Sequence, residues 1–185
     1  MSFQRPQAKK PPSLNVALVA AIQAFVDSPK NPIGVEMPQQ WQLGREGDVG
    51  EYAIKIPLEI SGQIGEQRLI VLAYPNIEPL AFRILITFEP AICRLDYEHG
   101  VIHTNTQANA QEDVPAIVKG PHYHPWLLNK RFFTTASAPI KLHNAVELQT
   151  EIRSFDSALR WFCAENNISL PHNHRIELPS RTTLI

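Results

Sequence analysis

The chain is expected to be an α+β domain: an N-terminal helix, a four-stranded antiparallel meander, a long irregular histidine-rich segment and C-terminal helices. Three observations predict this. Leu14, Leu18, Ile22 and Phe25, with Val19 and Val26, recur at helical spacing near the start. Between Tyr52 and Tyr97 four runs rich in Ile, Leu, Val and Phe follow one another with short links. Behind Ser154 a second helical pattern places Phe155, Leu159 and Phe162 on one face.

Each element has a local reason. Residues 1–12 are polar and basic and end in Pro11-Pro12, a flexible lead-in, and Ser13 is positioned as the N-cap of the first helix. Pro29 and Pro32 stop that helix, because proline restricts the residue before it. Residues 30–48 read as loop with a short strand near Trp41. Tyr52, Ile54, Ile56, Leu58 and Ile60 then alternate, as a strand with one buried face requires. Ser61-Gly62 marks a turn, and Arg68 to Ala73 forms the second strand. Phe82, Ile84, Ile86 and Phe88 form the third, and Ile92 to Tyr97 the fourth. Links this short favour antiparallel pairing, since a parallel crossover takes a dozen residues or more. Residues 98–140 lack a regular pattern. Asn144 with Glu147 matches a capping box, predicting a short helix to about Ile152. Ser154 caps the stronger helix, and Pro171 ends the domain (13–170), leaving 171–185 as a tail.

Composition limits the function classes. At 185 residues with net charge −1 there is no global pull toward nucleic acid or membrane. The two cysteines, Cys93 and Cys163, form no disulfide framework, and the opening MSFQRPQAKK carries no apolar run of a signal peptide. A cytoplasmic protein is expected. Sixteen prolines against eight glycines predict stiff loops. The chain shows no Gly-rich phosphate loop, nucleophile elbow or C-x-x-C pair.

The candidate chemistry is concentrated in Arg94-Leu95-Asp96, His99, His103-Thr104-Asn105 and His122-Tyr123-His124, a stretch with four of the seven histidines. On a strand, Arg94 and Asp96 share a face, as do His122 and His124. Imidazoles suit proton transfer or metal ligation. His122 and His124 supply two metal ligands, and His103 or Asp96 completes a set, with zinc as the metal of this alternative. In a second reading, one histidine takes the proton from a ribose 2′-hydroxyl and another protonates the leaving oxygen, beside Tyr123, with Arg94 or Lys119 on the phosphate. The plain alternative is that these are loop histidines bonded to backbone or water. Trp126, Phe132 and Phe133 beside Lys130 and Arg131 suit base stacking, or else core packing. His172-Asn173-His174 reads as surface, and both cysteines as packed small apolar groups.

The stretch Tyr74-Pro75-Asn76-Ile77-Glu78-Pro79 resembles the Tyr-Pro-x-x-x-Pro turn of the superfamily of ubiquitin-conjugating E2 enzymes, inactive E2 variants and RWD domains. The order helix, meander, Tyr-Pro turn, strand and His103-Thr104-Asn105 is similar too. In E2 enzymes a His-Pro-Asn motif stands there, and its asparagine supports the oxyanion during transfer from a cysteine. Here Thr104 replaces the proline, and no cysteine lies between Cys93 and Cys163. The resemblance spans roughly residues 13–105 and implies a protein-binding module without the catalytic cysteine. Its partner would be ubiquitin-like or E1-like, in a bacterial conjugation or defence pathway, and Trp126, Leu127 and Leu128 would be its hydrophobic anchors. A fainter likeness, through Arg94, Asp96, His103, Gly120, His122 and His124, is to small bacterial mobile-element proteins, some grouped with toxin–antitoxin pairs. The three expectations are therefore a docking module, a histidine-dependent ribonuclease of toxin type that would act on nucleic acid, and a domain with a structural metal.

Overall fold

The computed structural model describes residues 15–44, 50–77, 81–106, 114–133, 141–148 and 152–179. The lead-in 1–12, the cap at Ser13, Leu14, Glu78-Pro79 and tail residues 180–185 lie outside the described residues. Helix α1, Val16–Asp27, starts at Asn15, whose side chain accepts from Leu18 N. At its other end Lys30 turns back, donating through Nζ to the carbonyls of Phe25, Val26 and Ser28.

Short strands β1 (Asn31–Pro32) and β2 (Gln42–Leu43) both pair antiparallel with β3 (Tyr52–Ile60). The meander continues through β4 (Gln63–Tyr74), β5 (Ala81–Thr87) and β6 (Ala91–Tyr97), each antiparallel to the last. The α+β class and the meander therefore stand as expected.

The segment 98–140 differs from its irregular reading. It holds β7 (Ile102–Thr104) paired with β8 (Ile117–Lys119) as a separate two-stranded sheet, and then β9 (His122–His124), which joins the main sheet beside β6. Gly120, at φ 72°, makes the sharp turn between β8 and β9, a backbone region open to glycine and costly for most residues. Helix α2 (Trp126–Asn129) and a 3-10 turn at Lys130–Phe132 follow.

The helix expected from Asn144 is a correction. Val146–Glu147 is instead strand β10, antiparallel to β9, and the Asn144 side chain accepts from Thr106 N rather than capping a turn. Backbone and side-chain bonds from the β7 region thus outcompete the local cap. Residues 149–151 of the expected helix lie outside the described residues. Helix α3, Phe155–Glu165, is capped by Ser154 as expected, with Ser157 completing the box. Residues 171–179 pack against the domain: Arg175 N donates to the Val35 carbonyl, Trp41 Nε1 donates to the Glu177 carbonyl, and Ile176 is buried.

The two sheet faces have different fates. One carries Ile54, Ile56, Leu69, Val71, Phe82, Ile84, Ile86, Leu95 and Tyr123 into a core shared with Ile22 and Phe25 of α1 and with Leu159 and Phe162 of α3. Burying such side chains drives the fold, at roughly 1.5–3 kcal/mol each. Cys93 and Cys163 lie in this core. The opposite face carries Arg83, Arg94, Asp96, His122 and His124 by strand alternation. None of the described helices is long and apolar enough to cross a membrane.

Candidate metal centre

Strand register builds the site. Arg83 on β5 lies opposite Asp96 on β6, and Asp96 lies opposite His122 on β9. One step along, Leu85, Arg94 and His124 form the parallel row. Lying one residue out of phase with the core positions, all of these side chains are placed away from α1 and α3.

Asp96 is the hub. Its Oδ2 accepts from Arg94 Nε at 2.8 Å and lies 2.8 Å from Arg94 Nη2. His122 Nε2 and His124 Nε2 stand 3.3 and 3.2 Å from the same oxygen. Its Oδ1 faces Arg83 Nε at 2.9 Å as an ion pair, but without the alignment of a hydrogen bond. Burial raises the Asp96 carboxyl, but the contacts from His122, His124 and Arg94 outweigh it and hold the group far below the usual carboxylate range. Burial lowers His124 to about 4, against the pull of Asp96. Full burial of the His124 ring favours its neutral form, which leaves the Arg94 guanidinium as the cation that holds Asp96 ionised from Oδ2.

Ring tautomers follow from the carbonyls around the histidines. A carbonyl oxygen only accepts, so any imidazole nitrogen bonded to one is the N–H. His122 Nδ1 donates to the Gly120 carbonyl at 2.8 Å, and His124 Nδ1 to the Asn144 carbonyl at 3.0 Å. His103 Nε2 donates to the His143 carbonyl at 2.9 Å. In the neutral rings the lone pairs therefore sit on His122 Nε2, His124 Nε2 and His103 Nδ1. Arg94 Nη2 donates to the His124 lone pair at 3.1 Å. The His122 lone pair instead confronts a carboxylate oxygen.

The three imidazoles converge. His103 arrives from β7, and one potential ligand atom from each of His103, His122 and His124 lies within 4.8 Å of the others. Their ring centroids are 4.7 to 5.2 Å apart. Asparagines hold this assembly. Asn105 donates to the Pro115 and Ala145 carbonyls and accepts from Ala145 N. Asn129 donates to the Pro125 and Asn144 carbonyls and accepts from Asn144 N. Asn105, read from the E2 resemblance as an oxyanion support, is thus a buried clamp with its amide fully engaged.

Other sequence candidates lie elsewhere. Tyr123 points to the opposite face, donating to Asn166 Oδ1 and packing on Trp161 and Phe162, so it is not beside the histidines. Trp126 is buried, with its Nε1 on Gln23 Oε1, and Leu128 is half-buried, leaving Leu127 as the exposed member of the trio. Phe133 is core, while Phe132 meets the His143 ring at a tilt and lies under Arg131. His99 is exposed near Tyr97. His174 bonds Asp156. His122 and His124 are 2% and 0% exposed, so no ribose hydroxyl reaches either ring in this arrangement.

Arg83 was not singled out by the sequence reading. Its signal is positional: with Phe82 and Ile84 buried in the core, Arg83 must emerge on the face of Asp96. Comparison with protein-family models, with curated proteins and with solved structures returned no match.

Proposed function

We propose that this domain binds a zinc-class ion through His103, His122 and His124, with the Asp96 carboxylate as a fourth donor or immediate neighbour, and that the ion pins the β7–β8 hairpin to the main sheet. The single observation that carries this reading is the convergence of three imidazoles, each with its second ring nitrogen on a backbone carbonyl. Metal-bound histidines are oriented by such bonds, which also fix the tautomer. Imidazole and carboxylate suit zinc. A cation at the centre also removes the clash between the His122 lone pair and Asp96. Taking the His124 lone pair, it turns Arg94 wholly to Asp96. With Asp96 as the fourth donor the site would be closed, the pattern of a structural ion.

The test is metal analysis of the full chain after purification without added metal, followed by chelation. The expected result is about one equivalent of zinc whose removal lowers Tm, and His103→Ala should lose the ion while leaving the meander folded. Protein free of transition metal that gains no stability from added zinc overturns the reading.

A second reading keeps the E2-like or RWD-like docking module, supported by helix α1 standing before the meander and by the Tyr74-Pro75 turn after β4. Its partner would be ubiquitin-like or E1-like. Exposed Leu127 is the anchor to substitute; capture of such a partner that survives Leu127→Asp counts against it.

A further inference from the structure

Beside the metal centre, on the face away from the helices, lies a cavity of about 420 Å³ that the metal reading leaves unused. Its apolar lining is Leu72, Leu85 and Ala91, and its polar lining is Glu51, Tyr74, Arg83 and Arg94. Volumes of this order accommodate small molecules. We infer that this cavity binds a small organic oxyanion: an apolar body against the leucines, bearing one phosphate or carboxylate group held by Arg83 and Arg94.

The guanidiniums have donors to spare. Arg83 commits Nε to Asp96 and Nη1 to the Tyr74 hydroxyl, and Arg94 commits Nε and Nη2 to Asp96 and His124. A guanidinium carries five N–H groups in a fixed fork, so each retains donors for a third acceptor. Both side chains stay open, 39% and 30% exposed, whereas the Asp96 side chain between them is 8% exposed. The shared carboxylate therefore fixes two forks in place and leaves their outer edges toward the cavity.

Charge on this face is balanced, with the cations nearest the cavity being Arg83 and Arg94. Alternation along β3, β4, β5 and β6 puts Lys55, Arg68, Arg83 and Arg94 on it, because Ile54, Ile56, Leu69, Ile84 and Leu95 face the core. The same alternation also puts Glu59 and Glu66 on this face with Glu51 and Asp96, so it is the two guanidinium forks lining the cavity, not the net charge of the face, that would draw an anion. Planar forks match phosphate and carboxylate oxygens two at a time. Tyr74 links Arg83 to Glu51: its hydroxyl accepts from Arg83 Nη1 at 3.0 Å and donates to Glu51 at 2.8 Å, while the guanidinium lies over its ring at 5.2 Å. The Glu51 carboxylate there repels a second anionic group, which is why one charged end is specified.

The inference stands on the cavity, and shares with the metal proposal only Asp96 and the Arg94 contact to His124. The experiment titrates phenyl phosphate, benzoate and phenol into the full chain, chelator-stripped and zinc-loaded side by side, by calorimetry. One-to-one saturable binding of phenyl phosphate or benzoate, and none of phenol, is expected in both preparations; the tighter oxyanion names the ligand class. Arg94→Lys, which keeps charge but loses the fork, should weaken binding by about tenfold or more. Leu72→Trp, which fills the cavity from the position across the strand pair from Arg83, should abolish it. Absence of saturable binding by either oxyanion, equal binding of phenol, or binding only to zinc-loaded protein and indifferent to Leu72→Trp overturns the inference.

Discussion

His122 Nε2 lies 3.3 Å from Asp96 Oδ2 while His122 Nδ1 donates to the Gly120 carbonyl at 2.8 Å. The glycine turn therefore dictates which nitrogen faces the carboxylate, and in the neutral ring that nitrogen has no proton to give. Either the ring is doubly protonated or a cation stands between. Arg94 on the same oxygen and Arg83 on Oδ1 already neutralise Asp96, so a buried positive ring would add desolvation with little Coulombic return. The ion proposed above would take the lone pairs of all three imidazoles.

Asp96→Asn keeps the shape and removes the charge that holds two guanidiniums and two imidazoles. Breaking a buried ion pair on one side costs about 3 kcal/mol or more. Urea unfolding should show a loss of that order. A loss below about 1 kcal/mol would mean that the hub is held by packing rather than charge.

Asn105→Ala removes two donated and one accepted hydrogen bond from buried backbone partners. At about 1 kcal/mol for each bond, with stranded carbonyls adding to it, a destabilisation of about 3 kcal/mol is expected. Amide exchange should accelerate first in β7 and β8. Unchanged stability would return Asn105 to the candidates for a direct role at a site.

Both thiols should be silent in the folded protein. Burial pushes Cys93 and Cys163 up to about 12, and both sit at 0–1% exposure. The thiolate is the reactive form, so a thiol reagent at pH 8 should label neither until denaturant is added, then both. Fast labelling of Cys93 in native protein would contradict its place in the core.

The meander was legible because its message is dense: alternation repeats over four strands, and each turn is local. Placing His122 and His124 on one face was legible for the same reason. The β7–β8 hairpin and β10 were not. They are three, three and two residues long, and side chains of Asn105, Asn129 and Asn144 fix them through bonds to backbone 10 to 40 residues away. Asn144 and Glu147 do match a capping box, but Glu147 pairs across from His122 and Asn144 serves Thr106. Local propensity lost to a nonlocal partner. That His103 would reach the other two rings depends on that hairpin, so spacing alone was silent on it.

Lys30 supplies the pH signature. It is 1% exposed, and desolvation by burial lowers it from 10.5 to about 8, with Cys93 and Asp27 opposing; three carbonyls at the end of α1 keep it charged at neutral pH. Between about 8 and 10.5 the unfolded chain holds a proton that the folded chain has released. The unfolded state then binds more protons, and stability contributed by this residue rises with pH through that window. Below about 8 both states are charged and the contribution is flat. Tyr74, Tyr123 and the two thiols are pushed upward by burial and act in the opposite sense at the alkaline end, where the unfolded chain loses protons first. Comparison with Lys30→Met cancels them, since they titrate in both proteins. Thermal unfolding from pH 7 to 10 should show wild type gaining on Lys30→Met as pH rises above about 8. A constant or shrinking difference would mean that the carbonyls hold the ammonium as strongly as water does, and that burial costs this lysine nothing.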